Sequence, residues 1–338
     1  MAGEYGSVHS IGRRLAPGSA PRSGCDGTMD LRGGTTQALC SPRKLASGEI
    51  EAVFLPARGM LCASLRHRGE EMLRCVENLE QVAARGSMAG VPLMHPWANR
   101  LSGFRYRAAG QDVVLDPASP LLHFDQNGLP IHGVPWPLLA WELTKATGTR
   151  LVARLDWNRR ELLDVFPFEH TMEMTVAIDT LGLTIETELI AGNQGPVPVS
   201  FGFHPYIGVP GLARDEWRLK LPAMRRLMLD SEGIPTGKQT VCPSLGVPLA
   251  GLDFDDGFAL ESRGASLGIS GAGRRISIDL LAGYRYVQVY APRGQAYIAL
   301  EPMTAPTNAL ISGNGLNIVT ATGRFHAAFR IRVEAPGS

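Results

Sequence analysis

Two short stretches place an ionisable side chain directly before a proline. Ser200-Phe-Gly-Phe-His-Pro-Tyr-Ile-Gly208 carries His204, and Tyr297-Ile-Ala-Leu-Glu-Pro-Met303 carries Glu301. The residue before a proline is pushed into extended backbone, and the proline itself has no N–H for a sheet ladder. Each side chain is therefore expected at the end of a strand, where sites are commonly built. With unperturbed pKa values of about 6.5 and 4.3, an imidazole and a carboxylate can exchange protons near neutrality. Side chains alternate faces along a strand. Tyr286, Gln288 and Tyr290 thus share one face, and Tyr297, Ala299 and Glu301 share another. Tyrosines, small residues, an amide and one carboxylate suit a sugar, which offers hydroxyls to hydrogen-bond and a C–H face to stack. Taken alone, the first stretch is equally well a packing histidine and the second an ordinary exposed β face.

Two further polar clusters stand beside strand-like segments, His95-Pro-Trp-Ala-Asn-Arg-Leu-Ser102 and Leu129-Pro-Ile-His-Gly-Val134. Asn99, Arg100 and His132 would supply donors there, although Arg100 by itself reads as readily as a surface charge. His67, His95, His123 and His170 read as structural or exposed. Other motifs fail. Glu232-Gly-Ile-Pro-Thr-Gly-Lys-Gln-Thr240 imitates a phosphate loop, but its glycines are one residue too close and Gln239 follows Lys238. No G-x-S-x-G elbow and no H-E-x-x-H pair occurs. Cys25, Cys40, Cys62, Cys75 and Cys242 form no C-x-x-C pair and no disulfide pattern, which argues against a zinc site.

These side chains need a scaffold, and the composition bounds it. The chain has 338 residues, 44% of them apolar, and a formal net charge of +1. Nucleic acid and anionic membranes want clustered positive charge, so neither is an expected partner. No apolar run is long enough to span a bilayer. No apolar stretch follows Arg13-Arg14, so no secretory signal is read and a cytoplasmic protein is expected. Residues 1–47 are rich in Gly, Ser, Arg, Pro and Thr, and read as a poorly ordered tail; Met29 is an alternative start within it. From 48 to 335 the pattern is period-two alternation broken by Gly, Pro, Asp and Asn. Thr171–Asp179 and Leu183–Ile190 read as a hairpin, with Met172, Met174, Val176 and Ile178 on one face. Further strands are expected at Leu138–Thr144, Ile276–Leu280, Tyr286–Tyr290, Ala296–Glu301 and Ala327–Val333. The expectation is all-β: one large antiparallel domain, a sandwich or barrel, with few helices.

In this order, the Asn99-Arg100 pair, the His132-Gly133 pair, His204-Pro-Tyr206 and Leu300-Glu301 resemble the aldose 1-epimerase (galactose mutarotase) family. Leu229-Asp with Ile-Pro-Thr-Gly237 resembles that family's Pro-Thr-Gly turn. Phe254-Asp-Asp-Gly-Phe-Ala-Leu260 resembles its Asp-x-x-Phe segment, and Gly59–Gly69 its opening β-hairpin. The resemblance covers residues 48–335. It implies a large β-sandwich of the galactose-mutarotase type, a small-molecule sugar substrate, and no metal or organic cofactor. It carries His204 over as general acid and Glu301 as general base, with Asn99, Arg100, His132 and Asp255 binding the sugar. Ile207-Gly-Val209 after His-Pro-Tyr, Pro302-Met303 after the glutamate and Asp256 depart from the family pattern and mark a divergent branch. A hexose 6-phosphate is the rival substrate: Arg100, Arg105 and Arg107 lie close together in sequence, and Arg105 and Arg107 share one face if they alternate on a strand. A sandwich that binds sugar without turnover is the rival of another class.

Overall fold

The computed structural model describes residues 41–74 and 88–335. Most of the expected tail, Met29 included, lies outside these residues. Its last residues do not: Arg43–Ser47 is already a strand, paired antiparallel with Ile50–Leu55. The sheet therefore begins five residues before the boundary read from composition. Leu45, fully buried, supplies the apolar contact that holds it.

The chain is dominated by antiparallel strands arranged in two large sheets. A nine-stranded sheet runs, edge to edge, through Leu245–Pro248, Arg218–Leu221, Ser266–Gly271, Arg274–Ala282, Arg324–Glu334, Gly182–Ala191, His170–Asp179, Arg150–Trp157 and Glu142–Ala146. An eight-stranded sheet runs through Pro235–Cys242, Met224–Leu229, Phe254–Leu260, Tyr286–Ala291, Ile298–Met303, Gly202–Phe203 and Leu93–Met94, with Tyr206–Ile207 also pairing on Ile298–Met303. Among the described residues, only Arg160–Leu163 and Ala309–Ser312 are α-helical, one turn each. No described helix is long and apolar enough to cross a membrane.

The expected hairpin is present as His170–Asp179 against Gly182–Ala191. Met172, Met174, Val176 and Ile178 are all buried on its inner face, each worth about 1.5–3 kcal/mol of transfer free energy. The two large sheets meet through such faces. Phe203 of one and Phe329 of the other lie 5.1 Å apart, centroid to centroid. Val287, Val289, Ile298 and Leu300 belong to this shared core. Ala299, Met303 and Tyr206 point the other way, into a second apolar cluster with Leu61, Met94 and Trp136. The eight-stranded sheet is thus buried on both faces near Ile298–Met303, and the site lies on the face turned away from the partner sheet.

Three local expectations are corrected. Leu138–Thr144 is not a strand at its start: Trp136–Leu138 is a 3₁₀ turn and the strand is Glu142–Ala146, because Pro137 fixes a turn-compatible φ and donates nothing to a ladder. Pro-Thr-Gly237 is not a turn but opens the strand Pro235–Cys242. The turn is the preceding Asp230–Gly233, where the Asp230 carboxylate accepts the N–H groups of Glu232 and Ile234. Glu301 does not end a strand, since Ile298–Met303 continues through Pro302. The neighbouring strand is what breaks. Gly202 pairs with Met303, Tyr206 with Ala299, and the ladder lapses between them. Pro205 and Pro302 both fall in that lapse, where no ladder N–H is needed on that side.

Candidate active site

The lapse in the ladder is where the two ionisable groups meet. His204 Nε2 lies 3.1 Å from Glu301 Oε1, and their side chains are 6% and 2% exposed. The His204 N–H donates to the Pro92 carbonyl, which fixes its backbone in the break. Tyr206, two residues on and therefore on the same face, stacks on the imidazole at 4.2 Å and 16°. Its hydroxyl lies 3.3 Å from the same Nε2. Nδ1 of His204 and Oε2 of Glu301 are buried without a hydrogen-bond partner.

Burial dominates the electrostatics. It lowers the His204 pKa to about 3, with the positive charge of Arg74 acting in the same direction. It raises the Glu301 pKa well above the usual carboxylate value; Asp255 adds to the rise and Arg100 opposes it. Both shifts favour the neutral pair, a carboxylic acid beside an uncharged imidazole.

His132 is brought to this pair by a left-handed turn. Its φ is 62° and that of Asn99 is 58°, a conformation that a non-glycine residue adopts only when its surroundings compel it. The two residues are laced together: the His132 N–H donates to the Asn99 carbonyl at 2.9 Å, and the Asn99 N–H donates to His132 Nδ1 at 3.2 Å. His132 Nδ1 is thus an acceptor, which leaves the ring proton on Nε2. Burial, then the neighbouring His204, hold its pKa well below the ordinary histidine value. The rings of His132 and His204 meet edge to face at 5.5 Å. Gly133 is what allows the loop this close: at φ +68° a Cβ would sit 2.3 Å from the His95 carbonyl oxygen.

Arg100 follows Asn99 and is held flat against its neighbours. Its Nε donates to Asp125 Oδ2 at 2.6 Å, and one terminal nitrogen reaches Asn99 Oδ1 at 3.3 Å. Asp125 is a firm anchor. Burial pushes its pKa up, but the Leu129 and Asn127 N–H groups and the Arg100 guanidinium outweigh that and bring it below the usual value. Asn308, also left-handed, donates its N–H to the Arg100 carbonyl.

Asp255 reaches the pair through an amide. Gln288 lies directly across from Glu301 in the ladder, and its Nε2 donates to Asp255 Oδ1 at 2.6 Å. Asp256 points to the opposite face and pairs with Arg226, as alternation requires. Of the six residues expected from the sequence, Asp255 and Glu301 lie in strands of the eight-stranded sheet and His204 in the lapse of its ladder, while Asn99, Arg100 and His132 lie on loops, His132 in ring contact with His204. The shared face of Tyr286, Gln288 and Tyr290 with Glu301 is also observed. Tyr297 precedes the strand rather than lying in it, yet stands edge-on to Tyr206 at 5.3 Å.

Two contributors escape the sequence reading. Arg74 lays its guanidinium over Tyr297 at 4.4 Å and over Tyr206 at 5.6 Å; nothing in its local sequence marks it. Asp125 had a signal, since Asp125-Gln-Asn-Gly128 is a turn sequence with Asp first and Gly fourth. Of the histidines read as structural, His95 and His170 lie deep in the core, their Nε2 atoms 2.9 Å apart. Arg105 and Arg107 alternate as expected, but on an exposed two-stranded ribbon, with Arg107 paired to Asp112.

Comparison with known proteins bears on the fold and the family. No curated protein matches the chain. Among solved structures, a galactose mutarotase-like protein from Clostridium acetobutylicum superposes with a TM-score of 0.75 at 19% identity, over 86% of this chain and 94% of that one. An aldose epimerase homologue from C. elegans gives 0.73 at 16% identity, over 87% and 99%. A galactose 1-epimerase from Lactobacillus acidophilus gives 0.66 at 13% identity, over 87% and 94%. At these identities the likeness is one of fold, the galactose-mutarotase-like β-sandwich. A sequence model described as aldose 1-epimerase matches residues 50–328. Matched over most of its length, the chain belongs to the aldose 1-epimerase family.

Proposed function

We propose that the protein interconverts the α and β anomers of a free aldose, with Glu301 as general base and His204 as general acid. The observation that carries this is the buried 3.1 Å contact between His204 Nε2 and Glu301 Oε1. Ring opening takes the proton from the C1 hydroxyl and gives one to the ring oxygen. Glu301 accepts the first, His204 donates the second, the C1–O5 bond breaks and the aldehyde forms. Rotation about C1–C2 presents the other carbonyl face. O5 attacks, returns its proton to His204, and Glu301 returns its own to O1.

The charge balance of the site favours this direction of transfer. Carboxylate plus imidazolium and carboxylic acid plus imidazole hold the same number of protons. Burial destabilises the first arrangement and favours the second, which is the one left after ring opening. Ring opening in this direction starts from the charged arrangement, which burial makes the stronger base and acid but the less populated state; a positioned acid or base is typically worth about 10²–10⁴-fold. Asn99, Arg100, His132 and Asp255 grip the remaining hydroxyls in this reading. A neutral His132 with its proton on Nε2 suits a donor to a sugar oxygen.

The test is anomer equilibration followed by NMR from single anomers of glucose and galactose. Glu301→Gln keeps the shape and a hydrogen-bonding group next to His204. It should lower kcat by about 10²–10⁴-fold while leaving the unfolding transition in place. Wild-type turnover in that variant would refute the assignment. Sugar binding without acceleration by the native protein would make it a binding module.

A further inference from the structure

The face that carries Glu301 continues beyond the ring that the reacting pair can hold. Tyr286 lies opposite Met303, two residues past Glu301, or about 7 Å along the strand. Gly257 ties the next strands to the same face, because a Cβ there would lie 3.2 Å from Gln288 Oε1 and 3.4 Å from Leu227 Cδ1. Leu227 and Tyr286 then border a cleft of about 340 Å³, closed by the strand Pro235–Cys242 and by the segment from Pro306 to Gly315, within the range of about 300–1,000 Å³ usual for small-molecule sites. The cleft abuts the machinery already described. Asn308 borders it and also holds the Arg100 carbonyl.

Its lining has a definite chemistry. Thr307, Ser312 and Asn314 bring hydroxyl and amide groups, Tyr286 brings an aromatic ring, and Lys238 a single cation. Gly315 fixes the tyrosine: at φ +65° its missing Cβ would fall 2.3 Å from the Tyr286 hydroxyl. Amides, hydroxyls and one ring are what a pyranose hydrogen-bonds and stacks on. A phosphate wants converging cations or a guanidinium fork. Lys238 offers one flexible charge, and Arg105 and Arg107 stand on a separate ribbon.

We propose that this cleft is a subsite for a second sugar ring, so that the preferred substrate is a short oligosaccharide with a free reducing end. The inference rests on the epimerase reading, which supplies the chemistry at the reducing ring. The reducing ring sits at Glu301 and His204, and the glycosyl unit attached to it lies against Tyr286.

The experiment compares kcat/KM for anomerisation of maltose, cellobiose and lactose with that of glucose, and of glucose 6-phosphate, by NMR. At least one disaccharide should exceed glucose by roughly tenfold, the scale of one added ring contact. Ser312→Trp, which fills the cleft from an exposed position, should reduce that ratio about tenfold. A native protein that prefers glucose, or a ratio that Ser312→Trp leaves unmoved, would overturn the subsite and leave the epimerase reading intact. Preference for glucose 6-phosphate that Lys238→Ala abolishes would make the cleft an anion site and overturn it as well. Failure on every sugar would remove the epimerase reading, and the subsite with it.

Discussion

Acid should destabilise this protein through a pair of histidines that take no part in its chemistry. His95 and His170 touch through their Nε2 atoms and are packed among Trp157, Phe166 and Phe201. Phe168 supplies a carbonyl to His170 Nδ1, and no charged side chain pairs with either ring among the described residues. Burial lowers the His170 pKa to about 4 and holds that of His95 well below the ordinary histidine value, aided by His170. Between about pH 4 and the unfolded value near 6.5, the unfolded chain binds a proton at His170 that the folded chain refuses. Stability is complete above the unfolded value and falls as the solution is acidified. From about pH 7.5 to about pH 5, His170 alone accounts for a loss of roughly 2 kcal/mol. His204 and Glu301 act in opposite directions over this interval, because burial lowers the one pKa and raises the other. Urea titrations at the two pH values, at constant ionic strength, read the loss directly. His170→Gln keeps a polar contact for His95 and removes the titrating group, so its loss should be smaller by about 2 kcal/mol. The same pH dependence in both proteins would refute the burial account.

Two shorter predictions concern the site. Gly133→Ala drives a Cβ into the His95 carbonyl at a left-handed φ. It should lower the unfolding free energy by about 1–3 kcal/mol and cut anomerisation as His132 is displaced; urea unfolding and NMR rates check both. Tyr206→Phe keeps the stack on His204 and removes the hydroxyl beside Nε2. If that hydroxyl donates to Nε2 of the neutral ring, its loss should move the His204 limb of the kcat–pH profile upward by less than about one unit. An unshifted profile would show that the contact is incidental.

Much of this site is readable from the chain because alternation fixes faces. Period two places Tyr286, Gln288 and Tyr290 on one face of their strand, and the register that sets Gln288 opposite Glu301 adds the carboxylate to it. The family pattern supplies the loops that alternation cannot, Asn99-Arg100 and His132-Gly133. What escapes is set by long-range pairing. Arg74 is more than a hundred residues from the tyrosines it covers, and no local pattern announces that contact. Pro302 misleads for a related reason. Proline removes a donor, but whether a strand ends depends on whether the neighbour at that point wanted the donor, and the neighbour is broken by Pro205. The early strand Arg43–Ser47 is hidden by the composition of the residues before it.

Glu301 lies inside a strand rather than at its end, and this bears on how such a protein can diversify. Its flanking residues, Leu300 and Pro302, are buried on the opposite side of the ladder. Any insertion or slip nearby would exchange the carboxylate for a core side chain. Glu301 is therefore locked to the scaffold. Lys238, Ser312 and Asn314 are exposed and lie at the rim, where substitutions disturb little beneath them. Descendants of this chain can vary at the rim without displacing Glu301.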